Sequence, residues 1–159
     1  MATYDVTGVG VAGTRPSRRN PGVRVPYLVE NTIDISQVNA GSGTATNDVL
    51  QVLDIPAETL ILHAGVEILT QLSNSVTLDL GITGGDVDTF VDGDAKEVGY
   101  SVLTATARPV IASADTLDLL MLSAASSAGK LRVFAILCDV SGIDETDRQT
   151  ATQHDTDIS

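Results

Sequence analysis

Residues 75–94, SVTLDLGITGGDVDTFVDGD, decide the fold class. In the first half Val76, Leu78, Leu80 and Ile82 alternate with Thr77, Asp79, Gly81 and Thr83. Such a segment puts apolar side chains on one face and polar ones on the other, as a half-buried strand does. Gly84-Gly85 offers a turn in which positive φ has no steric cost, so residues 87–91 are expected to return as the second arm of a hairpin. The residues TLDL at 77–80 recur at 116–119, again inside an alternating run, so the β unit is used twice.

Working outward, residues 60–71 alternate with Leu60, Leu62, Ala64, Val66 and Ile68 inward against His63, Glu67 and Gln71, and Gly65 permits a bulge or a close crossing. Residues 48–55, DVLQVLDI, are apolar on both faces and are stopped by Pro56. Before them NAGSGTATN at 39–47 is a small polar loop, and residues 28–38 read as an edge strand. Downstream, residues 92–97 read as an acidic turn, and residues 99–106 and 108–112 as short strands, with Pro109 suiting an edge. Residues 115–123 and 130–140 are expected to pair as a second hairpin across AASSAG at 124–129. Their outward positions Leu120, Leu122, Phe134 and Ile136 are apolar too, which calls for another layer or a subunit interface. About eight such segments predict an all-β, two-sheet antiparallel β-sandwich over residues 28–140.

At 159 residues the chain is long enough for one well-buried core. With 43% apolar but 3% aromatic residues and no Trp, that core must be built from Val, Leu, Ile and Ala. A net charge of −12 and the scarcity of aromatic rings argue against nucleic acid as a partner. No window approaches a membrane span, so a soluble chain made in the cytosol is expected, and the lone Cys138 cannot form an intrachain disulfide.

Residues 1–27 differ in kind. They hold Pro16, Pro21 and Pro26, three of five prolines, and Arg15, Arg18, Arg19 and Arg24, four of nine basic residues. They read as an extended basic arm outside the core, either solvated or gripping an acidic partner through guanidinium–carboxylate pairs. Residues 8–13 match G-x-G-x-x-G, but Pro16 and Pro21 forbid the helix that a dinucleotide site requires. Residues 141–159 read as a polar, acidic tail.

No constellation for catalysis stands out. His63 lies on the polar side of a strand and His154 in the tail, while Cys138 shares an apolar face where a thiolate is disfavoured. Asp79 and Asp118 occupy matching places in the two TLDL repeats, which raises acid–base chemistry, though solvated outward positions explain them better. Asp86, Asp88, Asp92 and Asp94 raise a calcium loop, but their spacing fails the EF-hand template and a solvated acidic turn is expected. No catalytic residue, metal ligand or cofactor is assigned.

The runs VLQVLDIPAETLILHAGVEIL at 49–69, TLDLGITGGDVDTFVDG at 77–93, ADTLDLLM at 114–121 and KLRVFAILCDV at 130–140 resemble the decoration, or cement, proteins of tailed-bacteriophage capsids. That resemblance implies a jelly-roll-like sandwich without enzyme activity. It would sit as a homotrimer on the capsid exterior, clamp neighbouring subunits of the major capsid protein, and need no cofactor. Arg15, Arg18, Arg19 and Arg24 would then bind the capsid, and Leu120, Leu122, Phe134 and Ile136 would join the copies. A host-recognition or fibre-tip sandwich is the alternative. Carbohydrate-binding versions present aromatic side chains in loops, whereas this chain has Tyr4, Tyr27, Phe90, Tyr100 and Phe134 alone.

Overall fold

The computed structural model describes residues 2–5, 25–83, 87–95, 99–101 and 110–140. They form ten strands: β1 (Thr3–Asp5), β2 (Tyr27–Asp34), β3 (Asp48–Ile55), β4 (Thr59–Thr70), β5 (Thr77–Ile82), β6 (Val91–Ala95), β7 (Gly99–Ser101), β8 (Val110–Ile111), β9 (Asp115–Leu122) and β10 (Lys130–Asp139). The first sheet has the order β1-β3-β9-β5-β6; the second runs β2-β10-β4-β7, with β8 also paired to β4. All pairings are antiparallel except β1 with β3. The expected all-β two-sheet sandwich is therefore the fold.

Alternation does the packing. Leu78 and Leu80 of β5 face Leu117, Leu119 and Met121 of β9 within the first sheet, and Leu131, Val133, Ala135 and Leu137 of β10 line the second, all buried in one core. Asn31 of β2 ties the sheets together, its Nδ2 donating to the Val52 carbonyl at 3.0 Å. Three loops knit one end. Thr44 N–H donates to the Ser126 carbonyl at 2.7 Å, Ser73 N–H to Ala128 O at 3.1 Å, and Ile35 N–H to Gly129 O at 3.0 Å.

The structure corrects the strand reading in five places. β2 ends at Asp34, not at residue 38, because the Asp34 carboxylate accepts from Ser36 N–H at 3.1 Å and from its hydroxyl at 2.6 Å. That capture starts a 3-10 turn at Ile35–Gly41, whose Ile35 and Val38 are buried. In β4 the ladder to β10 shifts register not at Gly65 but between Ile61 and His63, and again between Ile68 and Thr70. The extra residue flips the phase, so Ile61 is buried in the core while Leu60 and Leu62 are only half-buried. The strand returning to β5 is β6, not residues 87–91, with Leu80 opposite Val91 and Thr77 opposite Ala95. Residues 92–95 are thus strand rather than turn, and Phe90 is buried ahead of them, its N–H donating to Leu80 O at 2.8 Å.

The fourth correction concerns β9 and β10, which do not form a hairpin. β9 lies between β3 and β5 in the first sheet and β10 between β2 and β4 in the second, so residues 124–129 cross from sheet to sheet. Both strands are central in their sheets, which accounts for their apolar content without a hairpin. Last, residues 3–5 are part of the body, not the arm. β1 extends the first sheet beside β3, Tyr4 packs against the core, and the buried Asp48 carboxylate accepts from Ala2 N–H at 2.9 Å and Ala45 N–H at 2.8 Å.

Candidate interaction surfaces

Each sheet has an outer face, and the two differ in chemistry. On the second sheet Arg132 of β10 bridges the strands on either side, its guanidinium 2.6 Å from the Glu67 carboxylate of β4 and 3.3 Å from Glu30 of β2. Lys130 lies 3.2 Å from Asp34. The Ser36 hydroxyl, then Lys130, hold the Asp34 carboxyl below the usual carboxylate range. Further along the sheet apolar side chains become the more numerous. Ile136 stands between Leu28 and His63 in the ladder, Phe134 between Glu30 and Gly65, and Leu60 next to Val110. Leu28 is 54% and Val110 57% exposed, and the His63 ring lies tilted against Phe134 with centroids 6.1 Å apart.

The outer face of the first sheet is carboxylate-rich. Leu120 stands between Val49 and Asp79, and Leu122 beside Thr77. Asp118 accepts from the hydroxyls of Thr83 and Thr116, and Gln51 Nε2 donates to Thr116 at 3.3 Å. Asp79 accepts from Gly93 N–H at 2.6 Å. Asp79 and Asp118 are only 7% and 8% exposed, so their reading as solvated positions is corrected: Thr83, Thr116 and Gly93 close over them. Burial pushes the Asp79 carboxyl up, the Gly93 N–H opposes it, and Asp92 and Asp88 add to the rise.

The four apolar residues expected at one subunit interface fall into two pairs. Leu120 and Leu122 belong to the first sheet, Phe134 and Ile136 to the second, and the shared core lies between them. A single flat contact takes one pair. Arg15, Arg18, Arg19 and Arg24 lie outside the described residues, as do Asp86 and His154. Among the described residues no group of three or more His, Cys, Asp or Glu side chains is arranged to hold a metal ion, and Cys138 is buried. Leu28 and Val110 were missed as surface residues. The signal for Leu28 was present, since it shares the polar side of its alternation with Glu30 and Thr32.

The molecule is thus an all-β sandwich with one acidic and one partly apolar outer face. Its fold is similar to that of a chain in the cyanophage Pam1 capsid asymmetric unit, with a TM-score of 0.59 at 14% identity over 79% of this chain and 93% of that one. It is likewise similar to a chain of the capsid of Ralstonia phage GP4, with a TM-score of 0.57 at 15% identity over 90% of this chain and the whole of that one. At these identities the likeness is one of fold. Neither a family model nor a curated protein matches the sequence.

Proposed function

We propose that the protein is a structural component of a phage virion that decorates the capsid exterior, binding the major capsid protein and stabilising contacts between its subunits. The observation that carries this reading is the fold likeness to chains of two phage capsids over most of both partners. The runs of sequence that resemble decoration proteins lie in the same sandwich, and no catalytic constellation competes with them among the described residues. In this reading the basic arm pairs with carboxylates of the shell. The homotrimer that the resemblance implies would close through heterologous contacts, a patch of each copy against a different patch of the next.

Cosedimentation with undecorated heads, assembled from the major capsid protein of the same phage, tests the reading. Binding that saturates at a fixed number of copies per head is the expected result. Failure to bind heads, together with binding to host-surface glycans, would establish the fibre-tip alternative instead. Because β1 is pinned to β3, the arm is better tested by substitution than by truncation. Arg15, Arg18, Arg19 and Arg24 changed together to Ser should weaken head binding while leaving thermal stability unchanged.

A further inference from the structure

We propose that the mature chain begins at Ala2 and that its free α-amino group is the partner of the buried carboxylate of Asp48. The site is a receptor for a processed chain end, built at the edge of the first sheet. It goes beyond the decoration reading and does not depend on it. Three observations support it.

The first is an acid without a cation. Asp48 is 2% exposed at the start of β3, and its two carboxylate oxygens accept from Ala2 N–H at 2.9 Å and Ala45 N–H at 2.8 Å. Both donors are neutral amides as long as a residue is bonded to the nitrogen of Ala2. A carboxylate offers about four lone-pair sites, and these amides use two of them. Carboxylates this deep are ordinarily paired with an opposite charge, because taking them out of water is costly. Among the described residues the only lysine and arginine, Lys130 and Arg132, pair with Asp34, Glu30 and Glu67 of the other sheet.

The second is which nitrogen faces it. Hydrolysis of the Met1–Ala2 bond turns the nitrogen of Ala2, and no other, into an ammonium. Water adds across that amide, its C–N bond breaks, the departing methionine keeps the new carboxylate, and the nitrogen takes up a proton. A methionine aminopeptidase does this where methionine stands first and the next side chain is small, as alanine is; with more chain ahead of Met1, an endopeptidase would leave the same terminus. The ammonium would lie 2.9 Å from Asp48, an ordinary length for a charge-assisted bond. The third is what hangs on the contact. β1 is three residues long and pairs with β3 alone among the described strands, so few ladder bonds offset the entropy of ordering it. Ala2 O accepts from Val49 N–H at 2.9 Å, so residue 2 is held at both its nitrogen and its carbonyl. Ionising the donor adds Coulomb attraction to the hydrogen bond, beside a carboxylate closed off from water.

The pair has a titration signature that an amide lacks. An α-amino group ordinarily loses its proton at about pH 7.7–8.0, and a carboxylate beside it holds that proton to higher pH. The folded-state value therefore lies above the unfolded one. The contribution of the pair is present in full below about pH 7.7 and is lost as the pH rises through the folded-state value. The other titratable side chains of β1, β3 and β9 are Tyr4, Asp5, Asp54, Asp115 and Asp118, and they stay the same in every comparison below.

The test compares two preparations released from a cleavable amino-terminal fusion, one beginning at Ala2 and one keeping Met1, each with and without Asp48→Asn. At about pH 6 the Val49 amide should exchange its hydrogen at least about fivefold more slowly in the Ala2 chain than in the Met1 chain, since β1 must detach to expose it. The Ala2 chain should also melt higher at that pH, the gap should close toward about pH 10, and it should shrink when both preparations carry Asp48→Asn. The unfused chain made in bacteria should lack Met1 by intact mass. A chain that keeps Met1, or equal exchange at Val49 in the two preparations, would overturn the inference. So would a melting gap that neither closes with pH nor shrinks with Asp48→Asn, which would assign the effect of Met1 to crowding. None of these readouts uses capsids, so the decoration reading stands or falls separately.

Discussion

Asp79 sits on the outer side of β5 yet is closed off from solvent, and its carboxyl is pushed up from the ordinary value of 3.8. The folded state therefore holds that proton more tightly than the unfolded state does. The cost of charging the group is absent below pH 3.8 and is felt in full above the folded-state value. Asp79→Asn keeps an acceptor for Gly93 N–H and removes the charge, so the variant should melt above wild type at pH 7. That gap should close as the pH falls below 3.8, and thermal unfolding across pH 3 to 8 checks it; a gap independent of pH would refute it. Asp34 has the opposite sign. Its lowered value stabilises the fold above pH 3.8 and is lost on acidification, so Asp34→Asn should lower the melting temperature at pH 7 and not below that range. Gly43 is constrained by space as well as by backbone. Its φ is +75°, and a Cβ there would lie 2.3 Å from the Ser126 carbonyl oxygen. Gly43→Ala should cost at least about 2 kcal/mol in denaturant unfolding, from left-handed strain and from displacing a loop already held by hydrogen bonds.

Strands were legible where apolar residues alternate without a fault or are cut off sharply by turn residues. Residues 48–55 match β3 end for end, and β5 was read correctly from Val76 to Ile82 apart from its first residue. What the pattern could not carry is pairing. Leu131, Val133, Ala135 and Leu137 alternate in the same way whether β10 turns back on β9 or crosses to the other sheet, and the small residues of 124–129 suit either path. Nor does alternation register a bulge: one inserted residue in β4 exchanges Leu60 and Ile61 between faces with no change in composition. The surface divided likewise, because Phe134 and Leu120 are equally apolar letters and the topology alone sends them to different faces. β1 escaped notice because three residues have no period to read, and Asp48 shows what fixes them. Removing its carboxylate by Asp48→Ala leaves Ala2 N–H and Ala45 N–H without their acceptor. The expected cost is about 1–3 kcal/mol, with faster hydrogen exchange at the Val49 amide, which donates to Ala2 O at 2.9 Å. Unchanged exchange at Val49 would show that β1 is held by other means.

Across the whole molecule, apolar contacts and an arm of arginines respond differently to salt. Ion pairs at the surface are screened over about 10 Å at 0.1 M ionic strength, while apolar burial is not weakened. Head binding by wild type should therefore fall as salt rises, and by more than that of the Arg-to-Ser variant. Titrating sodium chloride during cosedimentation reads both curves, and two curves of equal slope would leave the arm without a role. The place of β10 has a consequence of another kind, in the making of the protein. It is the last of the described strands to leave the ribosome and it sits between β2 and β4, which have no hydrogen bonds to each other in the sheet. Every strand of the first sheet is synthesised before it, yet until β10 fills the gap β2 and β4 offer that sheet two strands not joined to each other to pack against. A nascent chain cannot present a finished surface early, so it becomes competent to bind only once β10 has been translated.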